Sequence, residues 1–222
     1  MDQEHGIRPG GRPDPDGYAL RMAGGTEGAD YTRRLEAAES SRWKRLLNVR
    51  APYRWNLDRL GLGRTLDIGC GIGRNLVDLD PGSVGVDHNE QSVAAARSRG
   101  CDAMTPDEFA GTDPGSFDSL LFAHVLEHMP IVDAQGLVDR YLPYLGTDGR
   151  VVIIVPQEAG FRSDPTHVDF VGVPEIEAIA DSLGLSVVRS YSFPFPRSLG
   201  RWFRYNETVV IAERPRHGDA GL

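Results

Sequence analysis

The chain has 222 residues, enough for one domain with a sizeable core, and its 40% hydrophobic and 25% charged content is ordinary for a globular protein. A formal net charge of −8 argues against a protein built to grip nucleic acid or an anionic membrane, and no apolar run approaches the ~20 residues of a membrane span. Two cysteines, Cys70 and Cys101, are too few for a disulfide framework, and "MDQEHGIRPGGRPDPDGYAL" has no hydrophobic signal-peptide core, so a reducing, cytoplasmic setting is expected.

Residues 1–30 are rich in Gly, Pro and Asp with little to bury, which predicts a disordered tail; "ERPRHGDAGL" reads the same way and gives a flexible tail over 214–222. Across 31–60, Leu35, Trp43, Leu46, Leu47, Leu57 and Leu60 recur at roughly helical spacing, interrupted by Pro52. That pattern predicts a helical cap leading into a main domain over 61–213. "RTLDIG" is a short apolar run ending in glycine, and "SVGVD" is another ending in an acid. A first helix is expected between them, where "LDIGCGIGRN" leaves the strand. "QSVAAARSRG" predicts a short helix with Gly100 as its C-cap, followed by a short strand at "CDAM". "FDSLLFAHV" is a strand and "IVDAQGLVDRYLPYLG" a helix closing on Gly146. "GRVVIIVP", apolar and β-branched throughout its middle, suits a central strand buried on both faces. "PEIEAIADSLG" predicts a helix with Pro174 in its first turn, and "LSVVRSYSF" and "TVVIAE" two last strands.

Repeated strand–helix alternation predicts an α/β fold, a mostly parallel sheet with helices on both faces. "PFPRSLGRWFRYNE" is too short for a crossover helix, so the last two strands should be antiparallel neighbours.

The glycine loop carries the first chemical signal. Gly69, Gly71 and Gly73 let the backbone turn sharply and let a ligand approach without meeting a Cβ. A nicotinamide-binding loop spaced Gly-x-Gly-x-x-Gly would need its third glycine at position 74, which is Arg74. The Gly-Lys-Ser/Thr ending of a phosphate-gripping loop is also missing. Asp87, at the tip of "SVGVD", should lie beside the loop at the carboxyl edge, where open α/β sheets bind ligands. It can accept two hydrogen bonds from a ribose diol, or cap the next helix. Asn89 can cap that helix as well, which would leave Asp87 free for a sugar.

"LDIGCGIGRN", "GVDHNEQSV", "FDSLLFAHVLEH" and "GRVVIIVP", in order and at natural spacing, resemble successive motifs of class I S-adenosylmethionine-dependent methyltransferases, over roughly Arg64 to Ala212. The resemblance implies a Rossmann-like seven-stranded sheet with the last strand reversed. It implies S-adenosylmethionine as cofactor, with Asp67, Gly69, Cys70, Gly71 and Gly73 around its methionine end. Asp87, with His88 beside it, would hold the ribose; Met104 would pack near adenine, and Ala123 and His124 would line the floor below the sulfonium. In such families the helices before the first strand commonly cover the site, making Tyr53, Trp55 and Asn56 candidate substrate-wall residues.

"AHVLEHMP" contains His-x-x-Glu-His, the inverted zinc-peptidase signature. A peptidase needs those residues on one helix face, whereas His124 falls at a strand end and Pro130 follows closely. Two readings stay open. Many methyltransferases carry Leu-Glu-His after the fourth strand as scaffold. The run also resembles the Glu-x-x-Glu-His of metal-dependent O-methyltransferases, some of which add a distant histidine. By that resemblance His124, Glu127, His128 and His167 are candidate ligands for a divalent metal, and His124 in place of glutamate shifts preference from Mg²⁺ toward Zn²⁺, Mn²⁺ or Fe²⁺. Without a metal, His128 or His167 is a candidate general base, with Asp169 as the partner that orients His167.

"SFPFPRSLGRWFRY" offers Phe193, Phe195, Trp202, Phe203 and Tyr205 among Arg197, Arg201 and Arg204, either a lid over an acidic or aromatic acceptor or a hairpin completing the core. The favoured function is methyl transfer to a small-molecule acceptor. Arg42, Lys44, Arg45, Arg50 and Arg54 keep an RNA acceptor as the alternative despite the acidic balance. A catalytically silent cofactor-binding partner protein is the third reading. Oligomeric state is not legible.

Overall fold

The computed structural model describes residues 51–215. The expected tail at 1–30, residues 31–50 of the expected cap at 31–60 and residues 216–222 of the expected tail at 214–222 lie outside the described residues. The chain runs α1 (Ala51–Leu60), β1 (Thr65–Ile68), β2 (Val84–Val86), α2 (Glu90–Ser98), β3 (Ala103–Met104), α3 (Pro106–Ala110), β4 (Phe117–Ala123), α4 (Ile131–Tyr141), β5 (Leu145–Pro156), α5 (Glu158–Phe161), α6 (Val173–Ser182), β6 (Ser186–Phe193) and β7 (Glu207–Glu213). One seven-stranded sheet forms in the order β3-β2-β1-β4-β5-β7-β6. All pairs are parallel except those of β7, which runs against both β5 and β6. The reversed strand is the one that the short last connection demands.

Strand alternation sends consecutive side chains to opposite faces, and here both faces are buried. Leu120, Phe122, Val151, Ile153 and Val210 join a core with Leu137, Val138, Ile176 and Ile179 of α4 and α6. Leu121, Ala123, Val152, Ile154, Val209 and Ile211 face the other way, against Leu57 and Leu60 of α1. Each such Val, Leu or Ile contributes roughly 1.5–3 kcal/mol by leaving water. Because α1 packs beside the carboxyl ends of β4 and β5, the same burial that holds the helix also sets the wall of a cleft there.

Two expected helices differ. No α-helix follows β1, only a 3₁₀ turn at Leu76–Asp78. Gly73 still has φ +76°, and only seven residues separate it from Pro81, too few for capped helical turns. The helix after β4 ends at Tyr141 rather than at Gly146, because Pro143 lacks an N–H; a 3₁₀ turn over Leu142–Tyr144 leads into β5, and Gly146 is strand.

The β6–β7 connection is fixed by buried amides. Asn206 Nδ2 donates to Gln157 Oε1 (2.9 Å), Ser192 Oγ (3.0 Å) and the Phe195 carbonyl (3.1 Å). Gln157 Nε2 donates to Ser192 Oγ (2.7 Å) and the Glu207 carbonyl (3.0 Å). Glu207, first residue of β7, is thereby held opposite Pro156. Among the described residues, no helix is long and apolar enough to cross a membrane.

Candidate active site

The glycine loop folds back over the end of β2, its Gly69 and Cys70 N–H groups both donating to the Val86 carbonyl at 2.8 and 3.2 Å. Gly69, Gly71 and Gly73 have φ of +75°, +53° and +76°. At Gly69 a Cβ would stand 2.7 Å from Val125 Cγ2, so space as well as conformation requires glycine. Asp87 ties the loop to the neighbouring strand: its Oδ2 accepts from Gly71 N and its Oδ1 from Asn89 N, each at 2.8 Å. Asn89 caps α2 through Gln91 N and Ser92 N, as its sequence position suggests. Asp87 is nevertheless not idle. Both of its oxygens already hold a main-chain N–H, and a ribose diol would take the second lone pair of each.

Asp67, on β1, is buried at 1% exposure, and its Oδ2 receives no hydrogen bond. Burial, reinforced by the nearby Asp87 charge, pushes its carboxyl up to about 8. His88 Nδ1 stands 3.7 Å from Asp87 Oδ1, and the Met104 carbonyl accepts from Asp87 N at 3.1 Å. Cys70 and Cys101 are free thiols, and burial followed by Asp67 pushes the Cys70 thiol well up, so it is inert packing beside the loop. The fold thus brings Asp67, Gly69, Cys70, Gly71, Gly73, Asp87, His88 and Met104 to one edge of β1, β2 and β3.

Beside the loop lies a cleft of about 180 Å³, bounded by Tyr53, Asn56, Arg74, Ala123, His124 and Glu207. His124 turns into it on a left-handed backbone, φ +58°, which is uncommon for a residue with a Cβ. Its main chain is held by a bond from His124 N to the Ile154 carbonyl at 2.8 Å. Its ring is held by Glu207 Oε1, 2.9 Å from Nε2, and by Glu127 Oε1, 3.3 Å from Nδ1. Burial alone would lower its pKa, but the Glu207 and Glu127 carboxylates outweigh it and raise the imidazole to about 10. The two carboxylates thus favour the charged imidazolium, with 44% of the side chain reaching solvent.

The wall residues divide. Tyr53 donates its hydroxyl to the Tyr205 carbonyl at 2.6 Å, and burial, then Glu207 and Tyr205, keeps the phenol protonated. Asn56 is buried and its Oδ1 accepts from Tyr191 OH at 2.9 Å. Trp55 does not line the cleft: it is 53% exposed, stacked on Phe193 and lying under the Arg59 guanidinium. Tyr53 and Asn56, three residues apart, share a helix face, and Trp55, adjacent to Asn56, is rotated about 100° off it. Glu207 was not legible as a site residue, because only the β5–β7 register brings it there.

The His-x-x-Glu-His run is not a peptidase helix, since Leu126–His128 form a single 3₁₀ turn. Glu127, His128 and His167 gather, their ligating atoms within 4.8 Å of one another. His124 lies outside that group, held by its two carboxylates. Burial sets the His128 imidazole below its ordinary pKa, against the opposing pull of Glu127. Asp169 does not orient His167. Its Oδ2 accepts from Ile131 N at 3.1 Å, capping α4, while His167 Nδ1 donates to the Phe161 carbonyl at 2.8 Å. Asp164 holds the turn before His167, its Oδ1 accepting from Thr166 N and Oγ1.

The aromatic hairpin splits between its two readings. Phe193 is core, edge-on to Tyr53, whereas Trp202 is 76% exposed. Arg197 makes a two-pronged pair with Glu158, at 2.6 and 2.5 Å, which ties the connection to α5.

Residues 66–153 match a family described as a methyltransferase domain. No curated protein matches the sequence. Among solved structures, the chain is similar to a SAM-dependent methyltransferase from Archaeoglobus fulgidus, at 21% identity and TM-score 0.58 over 73% of this chain and 93% of that one. It is similar to the magnesium protoporphyrin IX methyltransferase of Synechocystis PCC 6803 with bound SAH, at 19% identity and TM-score 0.57 over 75% and 85%. A third is a possible histamine N-methyltransferase from Thermotoga maritima, at 16% identity and TM-score 0.60 over 83% and 98%.

Proposed function

We propose that this chain, an enzyme carrying a class I S-adenosylmethionine-dependent methyltransferase domain, moves a methyl group onto a small-molecule acceptor held in the cleft between α1, β4 and β7. The observation that carries the reading is the buried Asp67 carboxyl, whose Oδ2 receives no hydrogen bond, beside a glycine loop that a Cβ would obstruct. A buried polar atom without a partner is costly, and a ligand ammonium removes the deficit. Asp67 and the Gly69–Gly73 loop would hold the methionine end of the cofactor, Asp87 and His88 its ribose, and Met104 its adenine. When bound, the cofactor supplies a methyl group on a sulfonium, whose departing sulfur becomes a neutral thioether and asks little charge stabilisation of the protein.

The chain's own work is then alignment, exclusion of water and removal of a proton from the acceptor. Tyr53 is committed to the Tyr205 carbonyl and stays a phenol, so it shapes the wall rather than takes a proton. His124, whose charged form Glu207 and Glu127 favour, is poorly suited to act as a base. Glu207 is the carboxylate that borders the cleft, and we assign it the acceptor's proton, with His124 fixing its direction through the 2.9 Å contact. His128 and His167 are off this cleft and are not given that role.

The test is a metabolite-extract screen with labelled S-adenosylmethionine, paired with calorimetry of S-adenosylhomocysteine binding. Labelled product of low molecular mass supports the reading. Binding without any product, or label transferred only to RNA with a steep salt dependence, overturns the small-molecule acceptor.

A further inference from the structure

The connection between β6 and β7 carries three large apolar side chains into solvent: Phe195 at 45% exposure, Leu199 at 41% and Trp202 at 76%. Single exposed apolar residues are ordinary, but three on one short connection are not scattered. Leu199 lies in a 3₁₀ turn over Arg197–Arg201, and Trp202 closes that turn, its N–H donating to the Leu199 carbonyl at 3.1 Å. Residues three apart in such a turn eclipse, so the leucine and the tryptophan project from one side.

The segment is held rigid from beneath. Asn206, fully buried, donates from Nδ2 to the Phe195 and Pro196 carbonyls at 3.1 and 3.3 Å and accepts from Phe195 N at 2.9 Å. Gly200 packs so closely on Gln157 that a Cβ there would overlap its Oε1. Arg162 Nη2 donates to the Arg201 carbonyl at 2.9 Å, and Arg197 pairs with Glu158. Fixing a loop costs conformational entropy, and a loop fixed for stability alone would turn its apolar tips inward. This one is fixed with them outward.

The charge around the tip is positive. Arg162, Arg201 and Arg204 are exposed, and among the described residues the acid in ion-pair contact with this group, Glu158, is taken by Arg197. The face is basic on a chain whose net charge is −8.

We propose that this tip docks the protein on an anionic phospholipid bilayer, with Leu199 and Trp202 entering the interfacial layer while Arg162, Arg201 and Arg204 meet the lipid headgroups. Tryptophan is favoured at that depth, because its ring is apolar and its indole N–H still reaches water or headgroups. Arginine keeps its charge among the anionic headgroups. A protein partner fits less well: a standard interface takes about 800 Å² from each side, far more than three side chains offer. The acidic remainder of the chain is repelled by such a surface, which orients the molecule with this face toward it. Asn206, which fixes the tip, is followed directly by Glu207 of the cleft, so docking also sets the distance of the cleft from the bilayer. The docking stands on this surface alone and does not depend on the acceptor assigned above.

The experiment uses the full chain with vesicles of phosphatidylcholine containing about one quarter phosphatidylserine, and with phosphatidylcholine alone. Co-sedimentation finds the chain on anionic vesicles and not on neutral ones, added salt releases it, and tryptophan emission moves to shorter wavelength on binding. Trp202→Ser removes that shift and weakens binding at least tenfold; Arg201→Gln and Arg204→Gln each weaken it about fivefold. Leu199→Asn weakens binding as well and decides the matter if Trp202→Ser fails to fold. Melting temperature and S-adenosylhomocysteine binding stay those of the parent in all four variants, whose substituted side chains are exposed and lie off the cofactor loop. No uptake by anionic vesicles, or uptake that none of the four variants weakens, overturns the docking. Equal uptake by both kinds of vesicle overturns the part assigned to the arginines. Trp202-dependent binding of an RNA homopolymer without vesicle binding overturns it in favour of nucleic acid, and a Trp202-dependent dimer in ultracentrifugation without vesicle binding in favour of a second copy.

Discussion

Asp67→Asn separates stability from function at the cofactor loop. The Asp67 carboxyl is raised from 3.8 to about 8, first by burial and then by Asp87. The folded chain thus keeps a proton through a window, about pH 4 to 8, in which the unfolded chain has released it. Folding stability must fall as pH rises through that window, the opposite of the usual paired carboxylate. At ~1.4 kcal/mol per tenfold in acidity, the displacement corresponds to a ceiling of about 6 kcal/mol. One third of that, about 2 kcal/mol, moves the melting temperature of a domain this size by roughly 4–8 °C. Asparagine carries no charge to desolvate, so Asp67→Asn should melt several degrees above the parent near pH 8 and lose most of that advantage near pH 4. The same substitution should weaken S-adenosylhomocysteine, whose ammonium needs the carboxylate. In the parent, affinity should climb with pH below about pH 7, where the ligand amine is charged and Asp67 must give up its proton. In the variant that climb should vanish. Thermal melts and calorimetry across pH suffice as assays. A variant no more heat-resistant than the parent at high pH, with ligand affinity undiminished, would refute both the cost assigned to Asp67 and its partner.

Three further substitutions probe the same edge. Asp87→Ala should cost cofactor binding on the order of 1.5–3 kcal/mol, roughly 10- to 150-fold in Kd, and an unchanged Kd would remove the ribose from Asp87. Gly69→Ala forces a Cβ to within 2.7 Å of Val125 Cγ2 at φ +75° and should destabilise by about 1–3 kcal/mol in denaturant titrations. Val125→Ala added to it should recover the steric share alone, and full recovery would mean the backbone conformation costs nothing. Glu207→Gln should lower kcat at least tenfold with cofactor Kd unchanged, and should bring the His124 pKa down from about 10 in an NMR titration, since Glu207 is the stronger of its two carboxylates. An unmoved His124 would show that Glu127 alone holds the charge.

The cofactor half of the site was legible because its signals are local. Gly69, Gly71 and Gly73 sit on consecutive turns of one loop, and Asp87 ends the next strand, so strand order alone brings them together. What local pattern missed was competition for the same groups. Asp87 looked free once Asn89 took the cap, yet its own oxygens reach Gly71 N and Asn89 N. Asp169 looked like a partner for His167, two residues away, but a loop does not fix side-chain direction, and the carboxylate caps a helix 38 residues back. Glu207 carries no motif. Its place follows from the register of β7 on β5 and from the Asn206–Gln157 lock, both long-range. Long-range contacts also decide that Tyr53 and Asn56 face the cleft while Trp55 does not.

One physical feature recurs along the carboxyl edge of the sheet. Asp67, Asp87 and Glu127 are all buried there, at the ends of β1 and β2 and just past β4. Asp87 is satisfied by two main-chain N–H groups; Asp67 Oδ2 receives no hydrogen bond, and Glu127 faces the His124 imidazole at 3.3 Å. A domain selected only for stability would replace Asp67 with an amide or an apolar residue, since a buried polar group without a partner is costly. The presence of Asp67 makes sense if a positively charged ligand, an ammonium, completes the fold there, whereas Glu127 already has the His124 imidazole beside it. A ligand at 100 times its Kd adds ~2.7 kcal/mol of stability, so saturating S-adenosylhomocysteine should raise the melting temperature of the parent by several degrees and that of Asp67→Asn by much less. An equal rise in both would mean that the ligand ammonium does not meet the Asp67 carboxyl.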